Sequence, residues 1–441
     1  MHPSADPQPA PPPVPFREAV RTWARVGVLG FGGPAGQIAV LHRIVVDEKR
    51  WVDEPRFLHA LNFCMLLPGP EAQQLATYVG WMMHGVRGGL AAGILFVIPG
   101  FVILSVLSTL YAAFQQTPFV AALFFGLKPA IIAVVVEALI RIGGRALAGR
   151  GSVAIAAAAF ISLSFFHIPF PLIVLGAGAV GWMTGRDNRS PSSAAGHSLL
   201  SERVDWRRTA RVIAICLVLW WVPVALLAMV FGVGSVWVTE GLFFGHAAAV
   251  TFGGAYAVLA YVAQQAVQNY GWLAPGEMLD GLGMAETTPG PLILVVQFVA
   301  FLGAWRDPGP LPPLAAGLLG AAITAWVTFA PSFLFIFAGA PYVERLRGNR
   351  GLSAALSGIT AAVVGVILNL AVWFALHVLF ARVDEVSAGP IHVLVPDWPT
   401  LDAASLLIAL GAAFAMFRLK WGMLPTLAAA VAAGMAIRLI G

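Results

Sequence analysis

At 441 residues the chain is long enough for several domains, yet 59% of it is hydrophobic and only 11% is charged, under half of the roughly 25% found in soluble domains. That composition excludes a water-soluble globule, which needs a polar coat, and makes lipid the solvent. The net charge of +5, from 26 Lys and Arg against 21 Asp and Glu, lies in short basic clusters between apolar runs, as in cytoplasmic loops; it does not indicate a nucleic-acid partner.

In chain order, residues 1–15 contain seven prolines and no apolar core and read as a disordered cytoplasmic tail. A helix needs about 20 apolar residues to cross the hydrocarbon layer. Segments 88–113, 119–140, 212–233, 314–337 and 352–380 meet that need. Two further stretches, 153–166 with 169–183 and 403–417 with 422–439, read as pairs of shorter helices. Four segments are apolar but interrupted: 16–46 by Gly30-Phe31-Gly32-Gly33-Pro34, 57–83 by Pro68-Gly69-Pro70, 243–267 by Gly253-Gly254 and 278–302 by Pro289-Gly290-Pro291. The expected fold is an all-α integral membrane protein. A first repeat spans 16–184, a polar cytoplasmic linker 185–210, a connecting transmembrane helix 211–240 and a second repeat 241–441. Cys64 and Cys216 lie in apolar stretches and read as small buried hydrophobes.

Displacing the sequence by 221 residues lays Phe31-Gly32-Gly33 on Phe252-Gly253-Gly254, Val46 on Val267, Trp51 on Trp272 and Pro68-Gly69-Pro70 on Pro289-Gly290-Pro291. Eleven of these 40 ungapped positions are identical, including most of the unusual residues, which marks an internal duplication. After an insertion of 11, Pro99 meets Pro331 and Gly126 meets Gly358.

Loop charge orients the halves. The loop with Arg43, Lys49, Arg50 and Arg56 has a counterpart, 263–276, without Lys or Arg. Arg141, Arg145 and Arg150 face an acidic counterpart with Asp384, Glu385 and Asp397, whereas uncharged 115–118 corresponds to a loop with Arg345, Arg347 and Arg350. Basic loops stay in the cytoplasm, so equivalent loops are expected on opposite sides, as in inverted-topology repeats. Both basic loops of the first half share a side only if 57–83 dips in and returns. The Pro-Gly-Pro and Gly-Gly segments are therefore expected to be broken or re-entrant, which is tolerable at depth only inside protein or beside a wet cavity.

Each proline removes a backbone donor and restrains its predecessor, and Pro70 and Pro291 suit the first turn of a new half-helix. A helix start exposes free N–H groups and about half a positive charge. Two such starts, one per repeat, would bind an anion without a full cation in lipid. The Gly-Gly breaks Gly32-Gly33 and Gly253-Gly254 allow close backbone approach. Kinked packing alone is the bland alternative, but it does not account for four breaks placed symmetrically.

The string Gly-Gly, twelve residues, Val, four residues, Trp, sixteen residues, Pro-Gly-Pro, present in both halves, resembles the signature of the chromate ion transporter superfamily in its long two-domain form. The likeness covers roughly residues 16–440 and extends to Gly80 and Gly88. It implies export of chromate across the cytoplasmic (inner) membrane, driven by membrane potential or a proton gradient, and hence chromate resistance. It also implies sulfate as a competitor or natural substrate. The second half departs from the first in carrying Thr287-Thr288 before its turn and no acid after it in the place of Glu71.

The substrate-binding residues expected are Arg25, Gly32, Gly33, Pro68, Gly69, Pro70, Glu71, Lys128, His246, Gly253, Gly254, Pro289, Gly290 and Pro291. Arg25 and its repeat equivalent His246 offer charge or hydrogen bonds to an oxyanion, or else snorkel to the interface. Lys128 carries the same two readings. Glu71 and Glu286 either sit favourably at helix ends or couple protons. Glu137 reads as a partner for Arg141. Gln37, Gln73, Gln74, Asn62, Thr287 and Thr288 are neutral donors, and Trp51 and Trp272 are interfacial anchors. No P-loop, His-Glu-x-x-His or CxxC string occurs, so neither an enzyme, a metal nor a cofactor is expected, and His167 and His377 read as structural. Import of sulfate or another small oxyanion is the alternative activity, and a homodimer is a candidate assembly.

Overall fold

The computed structural model describes residues 14–185, 206–252, 255–340 and 350–440. Residues 1–13 of the tail, 186–205 of the linker, Gly253-Gly254, 341–349 with Arg345 and Arg347, and Gly441 lie outside the described residues. The first half runs α1 (Phe16–Leu29), α2 (Gly33–His42), a π turn (Arg43–Glu48), α3 (Glu54–Cys64), α4 (Glu71–Phe114), α5 (Pro118–Ala146), α6 (Arg150–Phe166) and α7 (Phe170–Gly185). Helix α8 (Trp206–Phe231) connects the halves. The second half runs α9 (Val236–Ala249), α10 (Ala255–Gln264), a π turn (Gln265–Asn269), α11 (Pro275–Thr287), α12 (Val295–Arg306), α13 (Pro313–Gly339) and α14 (Arg350–Leu379). A β-hairpin, β1 (Val383–Ala388) with β2 (Ile391–Pro396), precedes α15 (Ala403–Phe417) and α16 (Met423–Ile440). The protein is an all-α membrane protein apart from that hairpin. Among the described residues five helices, α4, α5, α8, α13 and α14, are long and apolar enough to span a bilayer.

Local chemistry sets the breaks. α1 stops at Gly30, and Gly32 (φ 86°) turns left-handed before Pro34 enters α2. The Asp53 carboxylate accepts from the Arg56 N–H at 2.9 Å to start α3, an ordinary N-cap. At the matching position Glu277 accepts from the Ala274 N–H at 2.8 Å to start α11. Both halves even place a π turn after their second helix.

α4 is two limbs rather than one rod. His84 (φ −136°, ψ 25°) and Gly85 (φ 60°, ψ −151°) leave helical geometry, and the chain doubles back. A Cβ on Gly80 would lie 2.4 Å from the Gly88 carbonyl oxygen, one on Gly88 2.1 Å from that of Gly80, and one on Gly93 2.4 Å from Thr77 Oγ1. Limbs 71–83 and 86–114 are therefore antiparallel and nearly touch backbone to backbone, the contact small residues allow between membrane helices. α3 and the first limb form a hairpin about the Pro-Gly-Pro turn, and α11 and α12 form its counterpart. Gly80→Val wedges the limbs apart by more than any rotamer can absorb. It is expected to cost several kcal/mol, on the scale of core overpacking (about 1–3 kcal/mol) or above, and to be read as loss of monodisperse protein after extraction in mild detergent.

The halves interlock reciprocally. Gly126 of α5 abuts Ala430 and Gly434 of α16, and Gly358 of α14 abuts Ala177 and Gly181 of α7. The last helix of each half thus lies against a long helix of the other, α16 against α5 and α7 against α14. α8 is held to α13 by Trp220 Nε1 donating to the Val327 carbonyl at 2.9 Å and Trp326 Nε1 donating to that of Leu219 at 3.0 Å. Cys64 is buried and Cys216 half-buried, and both are free thiols.

Candidate functional site

Both Pro-Gly-Pro turns break their helices, and the glycine of each is left-handed, Gly69 at φ 115° and Gly290 at φ 102°. Each turn is pinned to the other half. The Gly69 N–H donates to the Thr251 carbonyl at 2.7 Å, and the Gly290 N–H donates to the Gly30 carbonyl at 2.9 Å. Thr251 and Gly30 are themselves repeat equivalents, one position before the Phe-Gly-Gly string of each half, so the pair of bonds has the reciprocity that a two-fold relation generates. A second reciprocal pair closes around it. Gly100 of α4 abuts the Pro289 carbonyl, and its equivalent Ser332 of α13 lies 3.5 Å from the position of a Gly69 Cβ.

The surroundings of the two turns then diverge. Around the second, Gln37 Nε2 donates to the Gly290 carbonyl and, at 3.5 Å, to that of Gly30. Tyr256 Oη donates to the Glu286 carboxylate, whose other oxygen comes 4.0 Å from where a Gly33 Cβ would stand. Pro289, Gly290 and Pro291 are buried. The polar groups here are committed to one another.

Around the first turn they are not. Pro70 is followed by Glu71, Ala72 and Gln73, whose N–H groups open α4 with no capping side chain, so they lack helix partners. Gln74 Nε2 donates to the Pro68 carbonyl at 2.6 Å. Its Oε1, both amide atoms of Gln73 and the Ser332 hydroxyl are buried without a protein partner. Buried orphans are rare in native proteins and call for a water, an ion or a ligand. Free N–H groups, a carboxamide and a hydroxyl are the donors an oxyanion takes.

The charged candidates stand elsewhere. Arg25 is exposed and pairs with Glu48 at 3.1 Å. His246 is exposed beside the Trp221 ring, 6.1 Å between centroids. Lys128 Nζ lies 3.2 Å from Asp280, and the same carboxylate oxygen accepts from Tyr111 Oη at 2.7 Å. Glu137 and Arg141 pair at 3.4 Å, one turn apart. Glu71 is the first residue of α4 and is partly buried. Gly32 and Gly33 sit at the α1–α2 break. The structure thus gathers Pro68, Gly69, Pro70, Glu71, Pro289, Gly290, Pro291 and Gly33 at the interlocked turns, and leaves Arg25, His246 and Lys128 in other pairings.

Several polar residues inside the bundle were not singled out from the sequence. Asp280, Tyr111, Tyr256 and Ser332 lie in apolar helices, as does Gln297, which reaches across the halves to the Phe101 carbonyl at 2.9 Å and the Ser105 hydroxyl at 2.7 Å. Glu240 is fully buried with neither oxygen bonded. An ionisable side chain within an apolar run is signal enough to mark Asp280 and Glu240; Ser332, Tyr111 and Gln297 gain meaning only from their neighbours.

The family described as "Chromate transporter" matches residues 17–182 and 239–436. A chromate transport protein of Pseudomonas aeruginosa is 33% identical over 396 residues, 86% of this chain and 85% of the relative. One from Cupriavidus metallidurans is 26% identical over 82% of each chain, and a probable chromate transport protein of Synechococcus elongatus is 26% identical over 81% of this chain and 84% of its own. No solved structure matches. With the family signature carried twice and the match running over both halves, this chain belongs to the chromate transporter family, a family of membrane transporters and not of enzymes.

Proposed function

We propose that the protein exports chromate from the cytoplasm across the inner membrane as a secondary transporter with inverted repeats, and that the first Pro-Gly-Pro turn is its principal oxyanion site. The supporting observation is the uncapped start of α4 surrounded by the unpartnered Gln73, Gln74 Oε1 and Ser332 hydroxyl. Backbone N–H groups of residues 71–73 hold the dianion by hydrogen bonds and the helix dipole, with Gln73 and Ser332 as neutral donors. The second turn, already filled by Gln37, Glu286 and Tyr256, acts as the opposing jaw, and one half rocks against the other about the reciprocal bonds. Arg25, His246 and Lys128 then serve the approach or the scaffold rather than the bound ion. On the basic side, a cleft of about 620 Å³ is lined by Lys49, Arg50, Arg56 and His84, with Glu18 paired to Lys49 at 2.7 Å, and its net positive lining draws the anion in. Sulfate, a similar tetrahedral dianion, competes for the same donors.

Uptake of radiolabelled chromate into everted and right-side-out vesicles tests this reading. Export predicts energised accumulation in everted vesicles, slowed by excess sulfate. It also predicts that Gln73→Leu lowers apparent chromate affinity about tenfold or more, since hydrogen bonds to charged groups are worth about 1.5–3 kcal/mol. Accumulation confined to right-side-out vesicles identifies an importer instead, and unchanged affinity in Gln73→Leu removes the first turn as the site. Imposing a pH gradient or a voltage separately assigns the driving force.

A further inference from the structure

The β-hairpin of the second half lies against the α6–α7 turn of the first, and three ligand-type side chains meet there. His167 caps α6 in the left-handed region (φ 49°), a position that helix ends usually give to glycine or asparagine. An imidazole is held there against the steric penalty of left-handed backbone. In the hairpin Glu385 pairs with Leu394 and Ser387 with His392, so Glu385 and His392 project from one face of the ribbon. His392 Nδ1 is 2.8 Å and His167 Nδ1 3.9 Å from Glu385 Oε1. The two imidazoles stack with centroids 4.4 Å apart and planes at 16°. One ligand atom from each of the three residues lies within 4.8 Å of the others, and this is the one such group among the described residues. Each side chain is about a third exposed, 33% for His167, 38% for Glu385 and 30% for His392, so solvent ions reach it.

An isolated His392–Glu385 bridge on the surface contributes little and needs no third partner in a disfavoured backbone conformation. Two imidazoles packed face to face repel if both are protonated. As neutral rings they present lone pairs beside a carboxylate, the two-histidine, one-carboxylate set that suits zinc-class cations with water in the open position. The Ser387 hydroxyl lies 3.0 Å from the same His392 Nδ1 that faces Glu385 and rotates aside when that nitrogen takes a metal. We propose that His167, Glu385 and His392 form a binding site for a divalent zinc-class cation that staples the β-hairpin of the second half to the α6–α7 turn of the first. Ligand bonds of about 2.0–2.2 Å place tetrahedral ligand atoms roughly 3.4 Å apart, so the side chains close by about 1 Å through rotamer changes. The staple joins the halves on the face that the basic loops avoid, where external metal would restrain their relative movement.

The test uses the tag-free full-length protein in detergent, stripped with a chelator and dialysed against Zn²⁺, with bound metal measured by atomic emission. One zinc per chain is expected at low-micromolar free zinc, with a rise in the thermal midpoint. Glu385→Gln and His392→Ala should each weaken binding by more than the roughly tenfold that loss of an outer-shell partner costs. Asp384→Asn, on the opposite face of β1, should leave it unchanged. His167→Asn keeps a residue that tolerates the left-handed turn and should still lose the metal, which separates ligation from folding. A wild-type chain that takes up no zinc at these concentrations overturns the proposal, as does a Glu385→Gln/His392→Ala chain that retains a full equivalent.

Discussion

Gly69→Val and Gly290→Val are each expected to abolish chromate flux while the protein still reaches the membrane. At φ 115° and φ 102° a β-branched residue meets strain of about 1–3 kcal/mol from backbone alone. Space adds to it: a Cβ on Gly69 would stand 2.8 Å from Gln74 Nε2, and one on Gly290 3.0 Å from Leu294 Cδ1 and 3.2 Å from the Gly100 Cα. The turn cannot relax freely, because its N–H is tied to the other half. Shifting either turn by a few tenths of an ångström misaligns the N–H groups that follow it and loosens the reciprocal bond at once. The loss in vesicle flux should be about a hundredfold or more, the scale attached to ångström-level misplacement of binding groups. Flux near normal in either variant, with intact expression, removes the turns from the transport path.

The second large effect concerns the buried ion pair. Asp280 is 3% exposed and Lys128 30%; Tyr111 donates to the same oxygen, Oδ2, that faces Lys128, and Oδ1 is buried without a partner. Removing one partner of a buried pair costs about 3–5 kcal/mol because a charge is left uncompensated. Lys128→Met strands Asp280 in the core and falls at that end of the range. Asp280→Leu leaves a lysine with enough exposure to snorkel outward, so it costs less. The double variant Lys128→Met/Asp280→Leu should recover most of the stability, since apolar replacement of a buried pair is often neutral. Thermal denaturation of the four proteins in one detergent gives the order wild type, double variant, Asp280→Leu, Lys128→Met. A double variant less stable than Lys128→Met would show that the pair contributes more than mutual neutralisation.

The duplication and the helix breaks were legible in the sequence because glycine and proline encode backbone geometry directly. Gly32, Gly69 and Gly290 occupy left-handed φ, and the two Pro-Gly-Pro strings sit where the chain reverses. Gly80 and Gly88 were legible as family glycines, and the break between them was legible as the gap between segments 57–83 and 88–113; their backbone-to-backbone contact was not. His84, Gly85 and Arg87 mark that break by polarity and a glycine, with no proline to fix its angle, so the sequence could not show how closely the limbs pack. The β-hairpin was missed for the opposite reason. Its strands are mostly exposed, so alternation was not driven by a core, and the stretch 382–399 read as an acidic loop. Arg25 shows the limit of reading charge alone. Its type and its place before a break suit an anion, yet Glu48, 23 residues on, takes its guanidinium. The Tyr111–Asp280 bond spans 169 residues, and no local pattern ties such a pair together. His167 read as a lone histidine because its partners lie on a hairpin more than two hundred residues later.

The most direct measurement is a structure of the protein in lipid nanodiscs with molybdate, an electron-dense tetrahedral dianion, in place of chromate. Density within about 3 Å of the amides of residues 71–73, touching Gln73 and Ser332, is the predicted result. Density confined to the basic cleft of Lys49, Arg50 and Arg56, with the start of α4 filled by ordered water alone, would contradict it.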